Sequence, residues 1–223
     1  MLLFRPIIAG AHLTERLIAC LGAAICIALT VVVCAALPLA AADLPIIVAP
    51  LGASAVLIFA VPSSPLAQPW PVIGGNVLSV LAGVAAFNVF PNGAVAAGVA
   101  VGGAILVMSL LRCLHPPGGA AALTAVIGSH GIYAAGYSFA FAPVGINSIA
   151  LVALGMLFHR ATGRSYPHHP EVIAQPQSNK GIRLSDIDAA LEDMHESFDI
   201  SREDLGVLLA RAEVHSTARQ SLK

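Results

Sequence analysis

Two short segments combine proline with small residues inside an otherwise apolar sequence. The first begins at Pro50 and the second at Pro117, and they share a proline, a glycine and two alanines at the same offsets. Such residues break a membrane helix, and the new helix start exposes backbone N–H groups and a partial positive charge that suit an anion. The pattern predicts a small-anion site built from the amides of six residues: Gly52, Ala53, Ser54, Gly118, Gly119 and Ala120.

Four further side chains near these breaks can act on an anion. Arg112 and His115 directly precede the second break. Arg112 can draw anions toward a pathway or anchor the edge of the membrane, and His115 can bind an anion, relay a proton or cap a helix. Asn76 and Asn147 lie within apolar stretches, where they either line a pathway or bond one helix to another. The sequence leaves these alternatives open.

The elements that must hold these residues are membrane helices. The chain is 57% hydrophobic and 10% charged, whereas a soluble domain has about a quarter charged residues. Between Leu17 and His159, Asp43 and Arg112 are the only Asp, Glu, Lys or Arg residues. A stretch of that length without more charge belongs in lipid. We therefore expect an integral membrane protein, with the lipid bilayer as a partner.

Catalysis, metals and cofactors are not expected. The apolar segments hold no carboxylate pair and no Ser–His–Asp set, so the chain does not read as an enzyme. The four cysteines fall in apolar segments without CxxC spacing or a histidine partner, which is typical of buried free thiols. The start of the chain lacks a compact signal peptide, so the first apolar run is interpreted as a retained span.

Apolar segments of about 20 residues, some broken by proline and glycine, indicate six membrane-embedded elements. They cover residues 17–39, 45–61, 73–90, 94–111, 112–131 and 139–158.

The order of these segments repeats. Besides the matching Pro50 and Pro117 segments, Pro71-Val72 followed by Asn76 resembles Pro143-Val144 followed by Asn147. Three crossings in each copy reverse the second copy. The predicted fold is an all-α membrane protein with two inverted three-helix repeats, each with a Pro/Gly-broken central helix. Chance similarity between Gly/Ala-rich segments is the alternative.

The predicted membrane domain covers residues 1–165, with repeat one at about 13–92 and repeat two at about 93–160. Arginines favour the cytoplasmic side of a membrane protein. With a cytoplasmic N-terminus, Asp43 lies outside and all the arginines up to residue 164 lie inside. These are Arg5, Arg16, Arg112, Arg160 and Arg164. We expect a protein of a bacterial inner membrane with both termini cytoplasmic.

A polar linker at 166–182 leads to a cytoplasmic helical tail at 183–223, predicted as a short soluble hairpin whose two helices are capped by Ser185 and Ser201. From Lys180 onward the tail has nine acidic and six basic residues, so it is not expected to bind nucleic acid. Ala94, Gly98 and Gly102 form a small-residue stripe that we assign to helix packing inside one protomer. A subunit contact, and hence a homo-oligomer, is the alternative.

Three stretches, APLGASAVLIFAVPSSPLAQP, LHPPGGAAALTAVIG and SYPHHP, closely resemble the HPP family of integral membrane proteins. The family is named for the motif that stands here as His115-Pro116-Pro117, and the resemblance covers about residues 10 to 170. Its members in plastids and cyanobacteria are associated with nitrite transport, which implies a small inorganic anion as substrate here. The family is often described with about four spans, and our count of six includes the two broken elements.

These observations favour a transporter or channel for a small monovalent anion, with nitrite implied by the resemblance. The alternative is a membrane-embedded sensor or scaffold that signals through its tail.

Overall fold

The computed structural model describes residues 12–36, 44–169, 182–194 and 198–221. The described residues form two compact units, one of residues up to 62 with 66–167 and the other of residues 63–65 with those from 168 onward. Arg5, Asp43, the end of the first predicted span at 37–39 and most of the predicted linker lie outside the described residues.

Four helices of the first unit are long and apolar enough to cross a membrane, counting only the described part of the chain. They are α1 (Leu13–Ala36), α3 (Pro69–Val89), α4 (Gly93–Leu110) and a last span, Ala140–Ala161. The last span consists of a π-helical segment, Ala140–Gly145, followed by α7 (Ile146–Ala161). The π-helical segment is interrupted at Ala142, which has extended backbone angles (φ −131°, ψ 113°). Such angles are expected there, because Ala142 precedes Pro143.

Two shorter apolar helices stand between the long ones. They are α2 (Pro50–Ala60) and α5 (Pro117–Ile127), each of 11 residues and therefore about 16 Å long, half the thickness of a bilayer core. Proline occupies the first turn of both, where its missing N–H costs nothing. The predicted breaks before both short helices are confirmed. Shorter turns of helix follow, at Pro65–Ala67 and at α6 (His130–Ala135).

Contacts between helix ends show how the elements run. The Arg16 guanidinium donates to the carbonyl of Ala60 at 2.7 Å, which brings the start of α1 beside the end of α2. The indole of Trp70 at the start of α3 donates to the carbonyl of Leu111, just after α4, at 3.1 Å. Near the end of α7, the His159 ring bonds to the carbonyl of Ile58 at 2.9 Å.

Close approach between α3 and α5 depends on two glycines. A Cβ placed on Gly83 of α3 would lie 2.4 Å from the carbonyl oxygen of Ala122, and one on Gly118 of α5 would lie 2.5 Å from Ser79 Oγ. Both distances are shorter than van der Waals contact, so these positions accept only a hydrogen atom as side chain. This packing sets the second broken helix directly against α3.

The small residues of α4 pack on a different face from the predicted one. The buried face is formed by Ala96, Ala100 and Ala104, whereas Ala94, Gly98 and Gly102 are exposed. The assignment of the Ala94 stripe to packing inside the protomer was wrong. The error has a physical cause, because α4 carries small residues all round and the sequence therefore gives no contrast between its faces.

The second unit contains α8 (Leu184–Met194) and α9 (Arg202–Ser221), joined by an ion pair between Arg202 and Asp188. Ser201 caps α9 as predicted, since its hydroxyl oxygen accepts the Asp204 N–H at 3.0 Å. Ser185 does not cap α8, because the helix begins one residue earlier and the Asp186 carboxylate accepts the Arg183 N–H instead, at 2.9 Å.

Candidate functional site

Four fully buried polar side chains meet where the two broken helices approach each other. We call them the polar cluster: Ser54, Asn76, His115 and Ser148. Ser54 lies in the first turns of α2, Asn76 in α3 and Ser148 in α7, while His115 stands two residues before α5. Each broken element therefore contributes one member, and the long helix that follows it contributes another.

One backbone carbonyl fixes the direction of the hydrogen bonds in this cluster. His115 Nδ1 lies 2.9 Å from the carbonyl oxygen of Leu66, and because a carbonyl only accepts, Nδ1 must carry a hydrogen. In the neutral ring, Nε2 is then an acceptor. It lies 2.8 Å from Ser54 Oγ, so the Ser54 hydroxyl donates to it. The Asn76 amide nitrogen in turn donates to Ser54 Oγ at 3.3 Å.

The same geometry can accept a proton without losing a hydrogen bond. If Nε2 gains a proton it donates to Ser54 Oγ, and the Ser54 hydroxyl hydrogen turns to the carbonyl oxygen of Pro50, which lies 3.3 Å away. No heavy atom needs to move. The arrangement of His115 and Ser54 is thus compatible with both protonation states of the ring.

Two hydrogen-bonding groups of the cluster remain unused among the described residues. Asn76 Oδ1 is buried and has no partner. Ser148 Oγ accepts from the Asn76 amide at 3.3 Å, but its own hydrogen meets no acceptor in the described part of the chain. Buried polar groups are nearly always paired, by protein or by a bound molecule. The cluster therefore offers one free acceptor and one free donor to a small ligand.

Asn147 does not belong to the cluster, although it is the neighbour of Ser148. Its Oδ1 accepts the Val48 N–H at 3.1 Å, and its Nδ2 donates to the carbonyl of Ile46 at 3.0 Å. Nδ2 also lies 3.0 Å from Cys34 Sγ. Asn147 thus holds the segment that leads into α2, and in this structure it bonds one element to another.

Three of the glycine amides expected to bind an anion are paired within the chain. The N–H of Gly52 donates to the carbonyl of Ala49 at 3.0 Å, that of Gly118 to His115 at 2.8 Å and that of Gly119 to Pro116 at 3.1 Å. Each short helix is preceded by a residue that already has helical backbone angles, so its first amides find carbonyls to bond. Three other members of the predicted site, Ala53, Ala120 and Arg112, have exposed side chains.

The structure thus brings together three of the ten predicted site residues, Ser54, Asn76 and His115. Sequence reasoning missed Ser148 and the carbonyl of Leu66. A signal for Ser148 existed, because Asn147-Ser148 is a pair of adjacent polar residues inside an apolar helix. Adjacent helical residues point about 100° apart, so the two side chains of the pair reach different neighbours. The Leu66 carbonyl had no signal, since any residue supplies one.

Another buried polar group lies apart from the cluster. His159 of α7 is fully buried, stacks on Phe59 with ring centroids 5.5 Å apart and has no partner for Nδ1 among the described residues. As for metals, the described residues include no group of three or more His, Cys, Asp or Glu side chains that could hold an ion.

The sequence of the first unit matches a known family. The model described as the HPP transmembrane region matches residues 9–167. The chain belongs to the HPP transmembrane family. With its four long apolar helices, it is an integral membrane protein.

Two transmembrane proteins of Dictyostelium discoideum are similar to this HPP protein. One is 37% identical over 131 residues, covering 56% of this chain and 46% of its own length. The other is 37% identical over 120 residues, covering 52% of this chain and 38% of its own length. The chain thus spans less than half the length of these curated relatives. No solved structure matches it significantly.

Proposed function

We propose that this HPP protein transports a small monovalent anion across the membrane, with nitrite as the leading substrate and the polar cluster on its path. The observation that carries the proposal is the cluster itself, four fully buried polar side chains within an apolar bundle. Polar and ionisable groups inside a membrane protein are costly, and they commonly mark the path of a substrate or ion.

The position of the cluster adds support. Broken helices are tolerated at membrane depth where the freed backbone is buried in protein or faces a polar cavity, and transporters commonly bind substrate at such breaks. Here Ser54 and His115 come from the two breaks and bond to each other at 2.8 Å. The proposed path therefore passes where the two breaks meet. Since the amides of Gly52, Gly118 and Gly119 are paired, the side chains of the cluster are the better ligands.

We further propose that the membrane unit consists of two inverted repeats, α1–α3 and α4–α7. Support comes from the packing partners, because α1 packs against α2 and α7 while α4 packs against α5 and α3. If α1, α2 and α3 correspond to α4, α5 and α7, the partners of α1 become the partners of α4. The contact of Arg16 with Ala60 adds that the end of the first broken element lies beside the start of α1. Each broken element then counts as a crossing.

Nitrite is proposed from the family resemblance, and the test must separate it from other anions. Purified protein is reconstituted in liposomes, and uptake of nitrite, formate, nitrate and chloride is measured against protein-free liposomes. We expect protein-dependent nitrite uptake. The absence of protein-dependent uptake of any of the four anions, with the protein shown to be folded and inserted, would falsify the proposal.

The second candidate function is a membrane-embedded sensor or scaffold. It is favoured by the tail, because α8 and α9 belong to a compact unit separate from the membrane helices. That function requires no anion flux, and it predicts a binding partner that is lost when the tail is removed. Anion flux by both the full chain and a tail-deleted chain would decide in favour of transport.

For both candidate functions, transport or signalling, we propose a protein without catalytic activity in a bacterial inner membrane.

A further inference from the structure

The unused groups of the polar cluster specify the charge of its ligand. A bare anion offers acceptors only, but Asn76 Oδ1 is itself an unpaired acceptor and would repel it. A neutral oxyacid such as nitrous or formic acid offers one O–H donor and one oxygen acceptor close together. Those two groups are the complements of Asn76 Oδ1 and of the free Ser148 hydroxyl hydrogen.

The charge of the surroundings points the same way. All four side chains of the cluster are neutral in the bonding pattern set by the Leu66 carbonyl, and all are fully buried. An isolated anion without a cationic partner is strongly disfavoured in such a place. Among the described residues, Ser54 from α2, Gly75 from α3 and the Leu66 carbonyl lie against His115, and none of these groups can ionise. Along its own segment the nearest ionisable side chains are Cys113, which is buried, and Arg112, which is exposed.

The cluster can also hold a proton beside the ligand. His115 Nε2 can accept one while Ser54 redirects its hydroxyl hydrogen to the Pro50 carbonyl. Ser54 Oγ and Ser148 Oγ both lie 3.3 Å from the same Asn76 nitrogen. The proton-holding side of the cluster is thus separated from the unused donor and acceptor by a single amide group.

We propose that the cluster takes its substrate as a neutral weak oxyacid, so that one anion and one proton cross together. This inference rests on the proposed function and names its substrate class and coupling. The anion and the proton combine to form one O–H bond on entry, and the same bond breaks on release. No charge moves across the membrane in a complete cycle.

The test is an uptake measurement with a pH-sensitive dye in the liposome lumen, under an imposed membrane potential of either sign. Nitrite and formate serve as probes, nitrate and chloride as ions of strong acids. We expect protein-dependent uptake of nitrite and formate, acidification of the lumen by one proton per anion, and the same rate at both potentials. Protein-free liposomes give the background, because neutral acids also leak through lipid.

Substitutions place this activity at the cluster. Ser148→Ala removes the free donor and is expected to lower nitrite uptake on the order of tenfold. Ser79→Ala is the matched control, since Ser79 is a fully buried serine that bonds to Met108 Sδ at 3.3 Å instead of to the cluster. Equal uptake by the two folded variants would remove Ser148 from the site.

The wild-type measurement stands even if a variant fails to fold. Nitrite uptake that follows the membrane potential without acidification would overturn the neutral-acid inference and leave anion transport intact. Nitrate uptake as fast as that of nitrite would also overturn the neutral-acid inference, because nitrate is the ion of a strong acid and does not hold a proton in water. Absence of protein-dependent uptake of every anion would overturn the proposed function and this inference together.

Discussion

At the scale of single residues, the orientation of a buried amide depends on a carbonyl three hydrogen bonds away. The Leu66 carbonyl holds a hydrogen on His115 Nδ1, so Nε2 accepts from Ser54, and Ser54 must accept from Asn76. Asn76 Oδ1 is left free as a result. Removing any of these hydrogen bonds leaves the orientation of the Asn76 amide unfixed. Substitutions at Ser54 and His115 should therefore affect the ligand site beyond their own contacts.

His115→Ala should reduce both flux and stability. The substitution removes the ring's hydrogen bonds to the Leu66 carbonyl and to Ser54 Oγ, each worth about 0.5–1.5 kcal/mol, and leaves a space in a fully buried site. His130→Ala is the matched control, because His130 is exposed. The measurements are nitrite uptake in liposomes and the melting temperature in detergent. If His115→Ala transports and melts like His130→Ala, the cluster has no role in either property.

Gly118 and Gly119 should respond differently to the same substitution. A Cβ on Gly118 would lie 2.5 Å from Ser79 Oγ and 3.0 Å from the Gly75 carbonyl oxygen, whereas a Cβ on Gly119 meets only Val101, at 4.0 Å. Gly118→Ala should therefore destabilise the fold by about 1–3 kcal/mol, as overpacking does, and Gly119→Ala should not. Melting temperatures of the two variants test this. Equal values would show that α3 and α5 do not approach as closely as described.

Part of the site could be predicted from residue type alone. Ser54, Asn76 and His115 stand out because polar groups are rare in an apolar sequence and need partners when buried. The paired state of the Gly52, Gly118 and Gly119 amides could not be predicted in this way. It depends on the backbone angles of Ala49 and Pro116, which are helical, although each of these residues precedes a proline and such a position favours extended backbone.

At the scale of elements, proline located the starts of the two short helices, because a proline ring fixes the backbone angle that a first turn needs. Pro50 and Pro117 each open a helix, whereas α3 begins at Pro69, four residues before its predicted start at residue 73. Only the first two residues of α6 lie in a predicted broken element, 112–131, and α6 was not recognised as a helix of its own. It has six residues, too few for a periodic pattern to show.

Tyr166 joins the segment after α7 to the segment before α3, since its hydroxyl donates to the carbonyl of Ala67 at 2.9 Å. Burial raises the pKa of Tyr166 above its ordinary value. In the unfolded chain a tyrosine titrates near pH 10. As the pH rises past about 10, the unfolded chain loses a proton that the folded chain keeps, so this contribution to stability decreases with rising pH.

Tyr166→Phe should therefore have two effects. Near neutral pH it should lower stability by about 1 kcal/mol, the usual value of one hydrogen bond. Above pH 10 or so the gap between variant and wild type should narrow, because phenylalanine has no proton to lose. Melting curves in detergent over this pH range give both quantities. Tyr137→Phe is the control, since Tyr137 is exposed, and a narrowing gap in that variant too would contradict the assignment to Tyr166.

At the scale of the whole molecule, composition alone separated a membrane part from a polar tail. The predicted tail begins at residue 183 and the second unit contains its two helices. The short segment 63–65 also belongs to the second unit, although residues 66–167 lie between it and the rest of that unit. It could not be foreseen, because hydrophobic patterning reports only on residues close in sequence.

A chain that ends at Lys180 should insert and transport like the full chain. The truncation removes α8 and α9 with the Arg202–Asp188 ion pair, and leaves all four members of the polar cluster in place. Nitrite uptake per inserted protein in liposomes is the measurement. A truncated protein that is folded and inserted but carries no anion would contradict the expectation and strengthen the sensor hypothesis.

The arrangement of the arginines leads to a prediction of topology. Arg16 contacts the end of α2. Arg112 follows Leu111, whose carbonyl accepts from Trp70 at the start of α3. Arg160 follows His159, which is bonded to the same end of α2. These contacts place Arg16 and Arg160 at the start of α1 and the ends of α2 and α7, and Arg112 at the start of α3 and the end of α4. By the positive-inside rule we expect these helix ends to face the cytoplasm. We then expect the loop between α5 and α6 outside and the tail after α7 inside.

Labelling of single cysteines in whole cells with a membrane-impermeant maleimide tests this topology. The background carries Cys20→Ser, because Cys20 is exposed whereas Cys26, Cys34 and Cys113 are buried. Ser129→Cys, between α5 and α6, should be labelled in intact cells, and Thr217→Cys in α9 only after the cells are opened. Both positions are exposed, so a difference in labelling reports the side of the membrane. Labelling of Thr217→Cys in intact cells would reverse the proposed orientation, and with it the direction from which the substrate reaches His115.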